Sequence, residues 1–530
     1  MNVAFDPWIP VVTSSGERKL ASLCSVMTEG ENYADLAVRP HERVSLMRLF
    51  ICVAHAALEG PKDYEAWKKV PEELPKKAKE YLEKWKDSFE LFHATRPWLQ
   101  VAKLKGDNTS PVALLDFELA TGNNSTLNDH QGQLQKRNLT QERVALCMLT
   151  FQNFSSGGGS PIAQWDTTKT KQVGNPDAPC LSQSMAHCFM RGSSLIETIW
   201  FNLPTVERIK ETYKVFSMEN KEYAYKDVEM GLPVWEKFPI SPDSHSDEVV
   251  NATNTYMGRL VPISRWIKLI EGSDQMYCCN GFKYQTHKEG FPSEPTASVK
   301  VVKKKDKKGV VTEERQVVKI NPSRALWREL SALLVKRSAW GIGGPLAMEN
   351  VQSVSEYDFL VCAMTRDQAS MDIAIESVFH IKQSFQENLP SYQAEIEEAE
   401  ALAARLGWAV ESFRKEIDCD WENRVEKSKD KWELKAKLHS LATTHYWTTV
   451  EKNLSFLMAH IEAIGTGAAV PTREAWRKML FSTACESYRL ACGGETPRQI
   501  RAFVQGWKRL LSIKDEPKET IEENNREDEE

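Results

Sequence analysis

A change of pattern near Ser370 divides this 530-residue chain into two unlike parts. Before it, short apolar runs are interrupted by proline and glycine, which is the texture of mixed helix and strand. After it, residues 371–386, 390–418, 426–464, 472–492 and 497–513 all carry helical periodicity, the third broken or bent. Several helices with short connections predict an antiparallel bundle. The chain is too long for one core. The expected fold is therefore α+β: a mixed domain over 1–370, a helical bundle over 371–514, and an acidic tail over 515–530.

Local signals fill in this outline. Val3–Phe5 and Trp8–Val12 read as strands broken by Asp6-Pro7. Val44, Met47, Leu49, Val53 and Ala57 recur at near-helical spacing and predict a buried helix over 41–58. Val299–Val302 and Val310–Ile320 form a ribbon around the basic tip Lys303–Gly309, which faces either water or phosphate. Thr496-Pro497-Arg498-Gln499 is a capping-box helix start. Residues 205–256, rich in charge and proline, read as loops or an insertion.

The formal charge of −6 conceals an uneven distribution. Residues 515–530 hold nine acids against Lys518 and Arg526, a net −7, so residues 1–514 carry −6 + 7 = +1. A nearly neutral body can still present basic patches to nucleic acid. The tail has one apolar residue, Ile521, and reads as disordered. No apolar run is long enough to span a bilayer, and Asp6-Pro7 stands where a secretory signal needs a basic and then apolar start, so a cytoplasmic protein is expected. The eleven cysteines are scattered without a C-x-x-C pair, which predicts free thiols and neither metal nor cofactor.

Catalytic signatures are missing from the sequence: no phosphate loop, nucleophile elbow, H-E-x-x-H helix or dinucleotide fingerprint. Asp129-His130 is the nearest acid–imidazole pair, His439 and His445 share a helix face poorly, and Glu395, Glu397, Glu398 and Glu400 read as a solvated face. Three other segments stand out. Ser156-Gly157-Gly158-Gly159-Ser160 has no bulk, and glycine lets a backbone approach a partner closely, although it also suits an ordinary connection. Thr121–Gln133 is long and polar, suited to phosphate and base edges or to a plain surface loop. Arg366-Asp367-Gln368-Ala369-Ser370 reads as an exposed turn whose Gln368 can donate and accept.

In order along the chain, Asp6–Val11, Phe92–Gln100, Gly122-Asn123-Asn124 with Leu127–His130, Gly157–Gly159, Asn321–Arg328 and Arg366–Ser370 resemble the CasA family, the large subunit of type I-E CRISPR Cascade. Residues 205–256 and the tail contribute least. The resemblance implies a non-enzymatic subunit that binds guide RNA, reads a short motif in double-stranded DNA from the minor groove, and helps unwind it. Its implied partners are the RNA 5′ handle, the backbone, handle-binding and small subunits, and a helicase-nuclease. By position, Asn123, Asn124, Thr126, Leu127 and Asn128 would contact the RNA handle. Gly157, Gly158, Gly159 and Ser160 would approach the groove, with Lys283 or Lys288 reaching a groove or phosphate oxygen. Arg366 would meet phosphate, and Gln368, supported by Ala369, would wedge into the opening duplex. Two positions depart from relatives: Asn128 replaces an aromatic and Asp367 an amide. A nucleic-acid-processing enzyme using Asp129 and His130 and a protein-only scaffold are the competing readings.

Overall fold

The computed structural model describes residues 1–120, 137–172, 174, 176–219, 230–287, 291–305, 311–321, 324–338, 341–352, 354–367, 370–417 and 431–512. The chain divides into two compact units, Met1–Gln383 and Ser384–Glu530. The division falls thirteen residues beyond Ser370, because the segment expected to begin the bundle is not helical. It is a strand, Ser370–Lys382.

The first unit carries fourteen strands among its described residues: β1 (Ile9–Thr13), β2 (Arg18–Ala21), β3 (Tyr33–Leu36), β4 (Lys105–Gly106), β5 (Ser110–Pro111), β6 (Ala163–Trp165), β7 (Thr168–Lys169), β8 (His187–Arg191), β9 (Arg265–Leu269), β10 (Gln275–Asn280), β11 (Val299–Lys305), β12 (Val311–Val317), β13 (Glu356–Asp367) and β14 (Ser370–Lys382). They form five small sheets, ordered β2-β1-β3, β5-β10-β9, β11-β12, β14-β13-β8 and β4-β6-β7. In β14, Ile375, Phe379 and Ile381 alternate with Ala374, Glu376, Val378 and His380, and exposure follows that period of two. Opposite them in β13 stand Ala363, Phe359 and Tyr357. Cross-strand pairing thus overrides a pattern that also fits a helix. The predicted ribbon over 299–320 is present as β11 and β12.

Val3–Phe5, expected as a strand, is a turn. The Asn2 side chain accepts from the Ala4 and Phe5 amides, and the Asn2 carbonyl accepts from Phe5 and Asp6. This local capture by an asparagine competes with sheet pairing. The helix predicted over 41–58 runs from Pro40 to Leu58 and is buried through most of its length. It lies in a core that gathers Trp8, Phe50, Phe89, Trp98, Phe154, Trp165, Trp266 and Met364.

Arg48, in the middle of that helix, is fully buried. Its Nη1 lies 2.9 Å from Glu294 Oε2, an ion pair without the alignment of a hydrogen bond, while Nε and Nη2 donate to the carbonyls of Leu260 and Arg259. Arg259 in turn donates to Glu294 and to the carbonyls of Thr253 and Gln285. Burial alone would raise the Glu294 carboxyl, but Arg259 and Arg48 outweigh it and hold the group at about 2.

The second unit is helical among its described residues: Leu389–Ile417, Lys431–Lys452, Leu454–Ala463, Ala469–Ala491 and Pro497–Leu511. The Thr496 hydroxyl accepts from the Gln499 amide, and the Gln499 side chain accepts from Thr496 N, completing the expected capping box. Glu395, expected on a solvated face, is buried at 2% exposure; Arg473 Nε donates to it at 2.7 Å and His460 Nε2 lies 3.9 Å away. Gly506 permits a close crossing, since a Cβ there would lie 2.5 Å from the Ala409 carbonyl oxygen and 2.0 Å from the Tyr488 hydroxyl. Among the described residues no helix is long and apolar enough to cross a membrane, and no group of three or more His, Cys, Asp or Glu is placed to hold a metal ion. The described cysteines are free thiols.

Glu294→Gln is expected to lower the stability of the first unit by about 3–5 kcal/mol at neutral pH, the cost of leaving two guanidinium groups buried without their anion. The sign with pH follows from the depressed carboxyl. Its contribution is complete above the ordinary value of 4.5 and is lost as pH falls towards about 2. Urea midpoints measured from pH 7 to pH 2 should therefore converge for the variant and the wild type at the acid end.

Candidate nucleic-acid interface

The glycine loop grows directly out of a buried helix. Thr140 caps the Gln141–Phe154 helix by accepting from the Arg143 amide, and every residue from Val144 to Phe154 is buried. The helix ends at Ser155, and the chain turns outward through Ser156 and Gly157 to the exposed Gly158 and Gly159. Gly158 has φ +139°, a region that residues with a Cβ rarely enter.

Both sides of this loop are pinned. The Gly157 amide donates to Asp177 Oδ1 at 2.8 Å, and the Ser160 amide donates to the Gln172 carbonyl at 2.9 Å. The Ser156 carbonyl accepts from Arg265 Nη2 at 2.7 Å. Arg265 opens β9, and its guanidinium also donates to the carbonyls of Pro176 and Ser264. Its backbone is held by the buried Gln152 amide, which accepts from Arg265 N at 2.9 Å and donates to Arg265 O at 2.8 Å. Burial holds the guanidinium below its ordinary pKa. Among the described residues no carboxylate forms an ion pair with it.

Lys283 belongs to the same neighbourhood. Asn280, the last residue of β10, pairs with Arg265, and Gly281 follows. A Cβ on Gly281 would come within 2.6 Å of Arg265 N and of the Ser264 carbonyl, so only glycine fits this crossing. Phe282 and Tyr284 are buried, and Lys283 between them is exposed. Phe282 packs against Trp165 and Trp266, and Trp165 lies in β6, just past the glycine loop. The two expected contact segments are thus fastened to one strand end. Lys288 lies outside the described residues.

Arg366 and Asp367 stand at the far end of the β13–β14 hairpin, not in a turn before a helix. β13 pairs with β8 only from Asp358 to Cys362, and the hairpin continues beyond it, with a register shift between Met364 and Arg366 and a final pair Asp367–Ser370. Gln368 and Ala369 lie outside the described residues. One chain of contacts links this hairpin to the root of the glycine loop: Cys362 pairs with His187, whose ring meets Phe154 edge-on at 5.8 Å. His187 Nε2 donates to the Cys180 carbonyl and Nδ1 accepts from Thr296 Oγ1. Burial lowers its pKa to about 4, so this imidazole is a neutral core group.

Asn123, Asn124, Thr126, Leu127, Asn128, Asp129 and His130 lie outside the described residues. The flanks of that stretch are described and joined. Arg143 Nε and Nη2 donate to Asp116 Oδ2, while Arg39 Nη1 donates to Asp116 Oδ1 and Arg143 Nη1 to Glu42 Oε1. Burial would raise the Asp116 carboxyl, but Arg143 and Arg39 bring it below its ordinary value.

Sequence reasoning does not single out Arg265, Gln152, Asp177 or Gly281. An arginine inside the otherwise apolar run Arg265-Trp266-Ile267 and a glycine two residues before Lys283 are the available signals.

A family model described as CRISPR-associated protein Cse1 matches residues 2–487. A curated relative described as CRISPR-associated protein CasA/Cse1, from Thermus thermophilus, is 24% identical over 534 residues and covers 95% of each chain. The crystal structure of CasA from the same organism superposes with a TM-score of 0.69 at 21% identity, covering 97% of this chain and 98% of that one. A chain of a structure described as a CRISPR RNA-guided surveillance complex gives a TM-score of 0.73 at 16% identity, covering 96% of this chain and 99% of that one. These likenesses in structure establish the shared fold.

Gly281→Ala is expected to lower stability by about 1–3 kcal/mol, because the added methyl must push apart backbone that has no rotamer to yield. Thermal unfolding of the variant measures this, and an unchanged midpoint would contradict the close crossing.

Proposed function

The chain belongs to the CRISPR-associated Cse1 family, and from that premise we propose that it is the large subunit of an RNA-guided surveillance complex. In this role it reads a short flanking motif of double-stranded DNA from the minor groove and helps open the adjoining duplex. The observation that carries the reading is the glycine loop: exposed, without side chains at Gly157–Gly159, pinned on both sides, and attached to the strand end that also presents Lys283.

The physical logic is one of access. The minor groove is about 6 Å wide, and there A·T and G·C pairs differ chiefly by the guanine amino group. Backbone at glycine reaches into such a groove where a side chain collides, and Lys283 adds a donor for a groove or phosphate oxygen. Recognition of this kind is degenerate, which suits a reader of a short flank while guide pairing specifies the long target. Gln368, which follows Asp367 in sequence, is assigned to the first target pair. A glutamine there offsets unstacking that costs a few kcal/mol per step.

Asn123, Asn124, Thr126, Leu127 and Asn128 are assigned to the guide RNA 5′ handle, with the Arg39–Asp116–Arg143 network fastening the two flanks of that stretch. The remaining assignments are backbone, handle-binding and small subunits as assembly partners, and a helicase-nuclease recruited after opening. The chemistry of cleavage belongs to that last partner.

Gly158→Val is expected to weaken binding of the assembled complex to motif-bearing duplex about tenfold, a loss of about 1.4 kcal/mol, while sparing target that is already open. Gel-shift titrations on both substrates measure this, and equal duplex affinity would remove the groove reading. Gln368→Ala is expected to slow target opening about tenfold or more on linear duplex, with assembly on guide RNA unchanged. Fluorescence of a base analogue at the first target pair reports it, and wild-type opening rates would remove the wedge.

A further inference from the structure

One peptide unit of the glycine loop is held from both of its polar ends. The carbonyl of Ser156 and the amide of Gly157 belong to the same peptide plane. The carbonyl accepts from Arg265 Nη2, and the amide donates to Asp177 Oδ1. A cation on the oxygen and a carboxylate on the nitrogen both follow the dipole of that peptide, and both hydrogen bonds are of the stronger, charge-assisted kind. From this geometry we infer that Arg265 and Asp177 form a clamp that fixes the orientation of the glycine loop and so sets its ability to discriminate one duplex flank from another.

The surroundings show why a clamp is needed. Three successive glycines have more backbone freedom than any other tripeptide, and a loop that had to order on contact would lose affinity to that entropy. Ordering it in advance needs fixed neighbours, and each half of the clamp has them. Arg265 cannot swing, because its guanidinium also engages the Ser264 and Pro176 carbonyls and its backbone is gripped by Gln152. Asp177 sits on the segment following Gln172, whose carbonyl takes the Ser160 amide at the other side of the loop. The same arginine touches the carbonyls of both segments, Ser156 on the loop and Pro176 beside Asp177, and keeps them in register. Arg265 itself is buried, while Gly158 and Gly159 above the clamped peptide are exposed.

This inference rests on the proposed groove reading, and the test separates the two. Complexes reconstituted with guide RNA and wild-type, Asp177→Ala, Asp177→Asn, Arg265→Gln or Gly158→Val chain are titrated with three probes. These are a duplex bearing the flank selected from a randomised library, the same duplex with a scrambled flank, and a target already opened. A lost charge-assisted hydrogen bond corresponds to about tenfold or more. Asp177→Ala and Arg265→Gln should therefore weaken the selected duplex about tenfold or more and narrow the ratio between selected and scrambled flanks. Binding to the opened target and incorporation into the complex should stay at wild-type levels. Asp177→Asn keeps an acceptor for the Gly157 amide and should restore most of what Asp177→Ala loses. If Gly158→Val weakens duplex binding and neither clamp variant does, the clamp is overturned and the groove reading stands. If Gly158→Val itself has no effect, the groove reading fails and the clamp with it. Asp177→Asn as weak as Asp177→Ala would also overturn the clamp, and the Asp177 pair decides the matter should Arg265→Gln fail to incorporate.

Discussion

The first unit is organised around a single carboxylate. Glu294 lies between Arg48 and Arg259, and each arginine also holds backbone carbonyls, so one buried acid connects the central Pro40–Leu58 helix, the Tyr256–Leu260 helix and the segment from Gln285 to Glu294. Taking three charged groups out of water is costly, and the arrangement persists because nearly every donor meets an acceptor. Removing Glu294 would leave both arginines buried without their anion. The position of β9 follows from this junction, since β9 begins five residues after Leu260, whose carbonyl Arg48 holds.

From β9 the order passes outward to the surface. Arg265 opens the strand, Gln152 grips its backbone, and its guanidinium reaches the Ser156 carbonyl, where the glycine loop leaves the core. Gly281 lets the end of β10 press against the same residue, which brings Lys283 to the adjoining surface. A rigid base beneath a side-chain-free loop is what backbone recognition of a groove requires under the proposed function. Flexible glycines alone would approach a groove just as closely but would lose more entropy on binding. The Cβ-free loop and its fixed support therefore act together.

Much of this architecture is legible in the sequence, for identifiable reasons. The Pro40–Leu58 helix, the β11–β12 ribbon and the capping box at Thr496 each rest on local patterns that tertiary structure does not overrule. β14 reads as a helix in the sequence because Met371, Ala374, Ile375, Val378 and Phe379 fit helical spacing while Ile373, Ile375, Phe379 and Ile381 fit the strand period, and only the partner strand decides between them. Val3–Phe5 reads as a strand because its apolar residues hide the capture of its amides by Asn2. In the helix Ala469–Ala491, Leu490 is exposed, and Tyr488 is buried with its hydroxyl donating to the Phe503 carbonyl. At the candidate site the glycines and Lys283 can be found by type and order. Arg265, Gln152 and Asp177 cannot, because they act through hydrogen bonds between segments up to 113 residues apart.

In the proposed role this chain supplies the flank preference of an RNA-guided complex. The most direct measurement co-expresses guide RNA and the candidate backbone subunits with and without it, and selects each assembly against a duplex library with a randomised flank. The expected result is enrichment of a short flank that separates A·T from G·C at individual positions more strongly than it separates A·T from T·A, and loss of that enrichment when the chain is left out. The same enriched flank in both assemblies would contradict it.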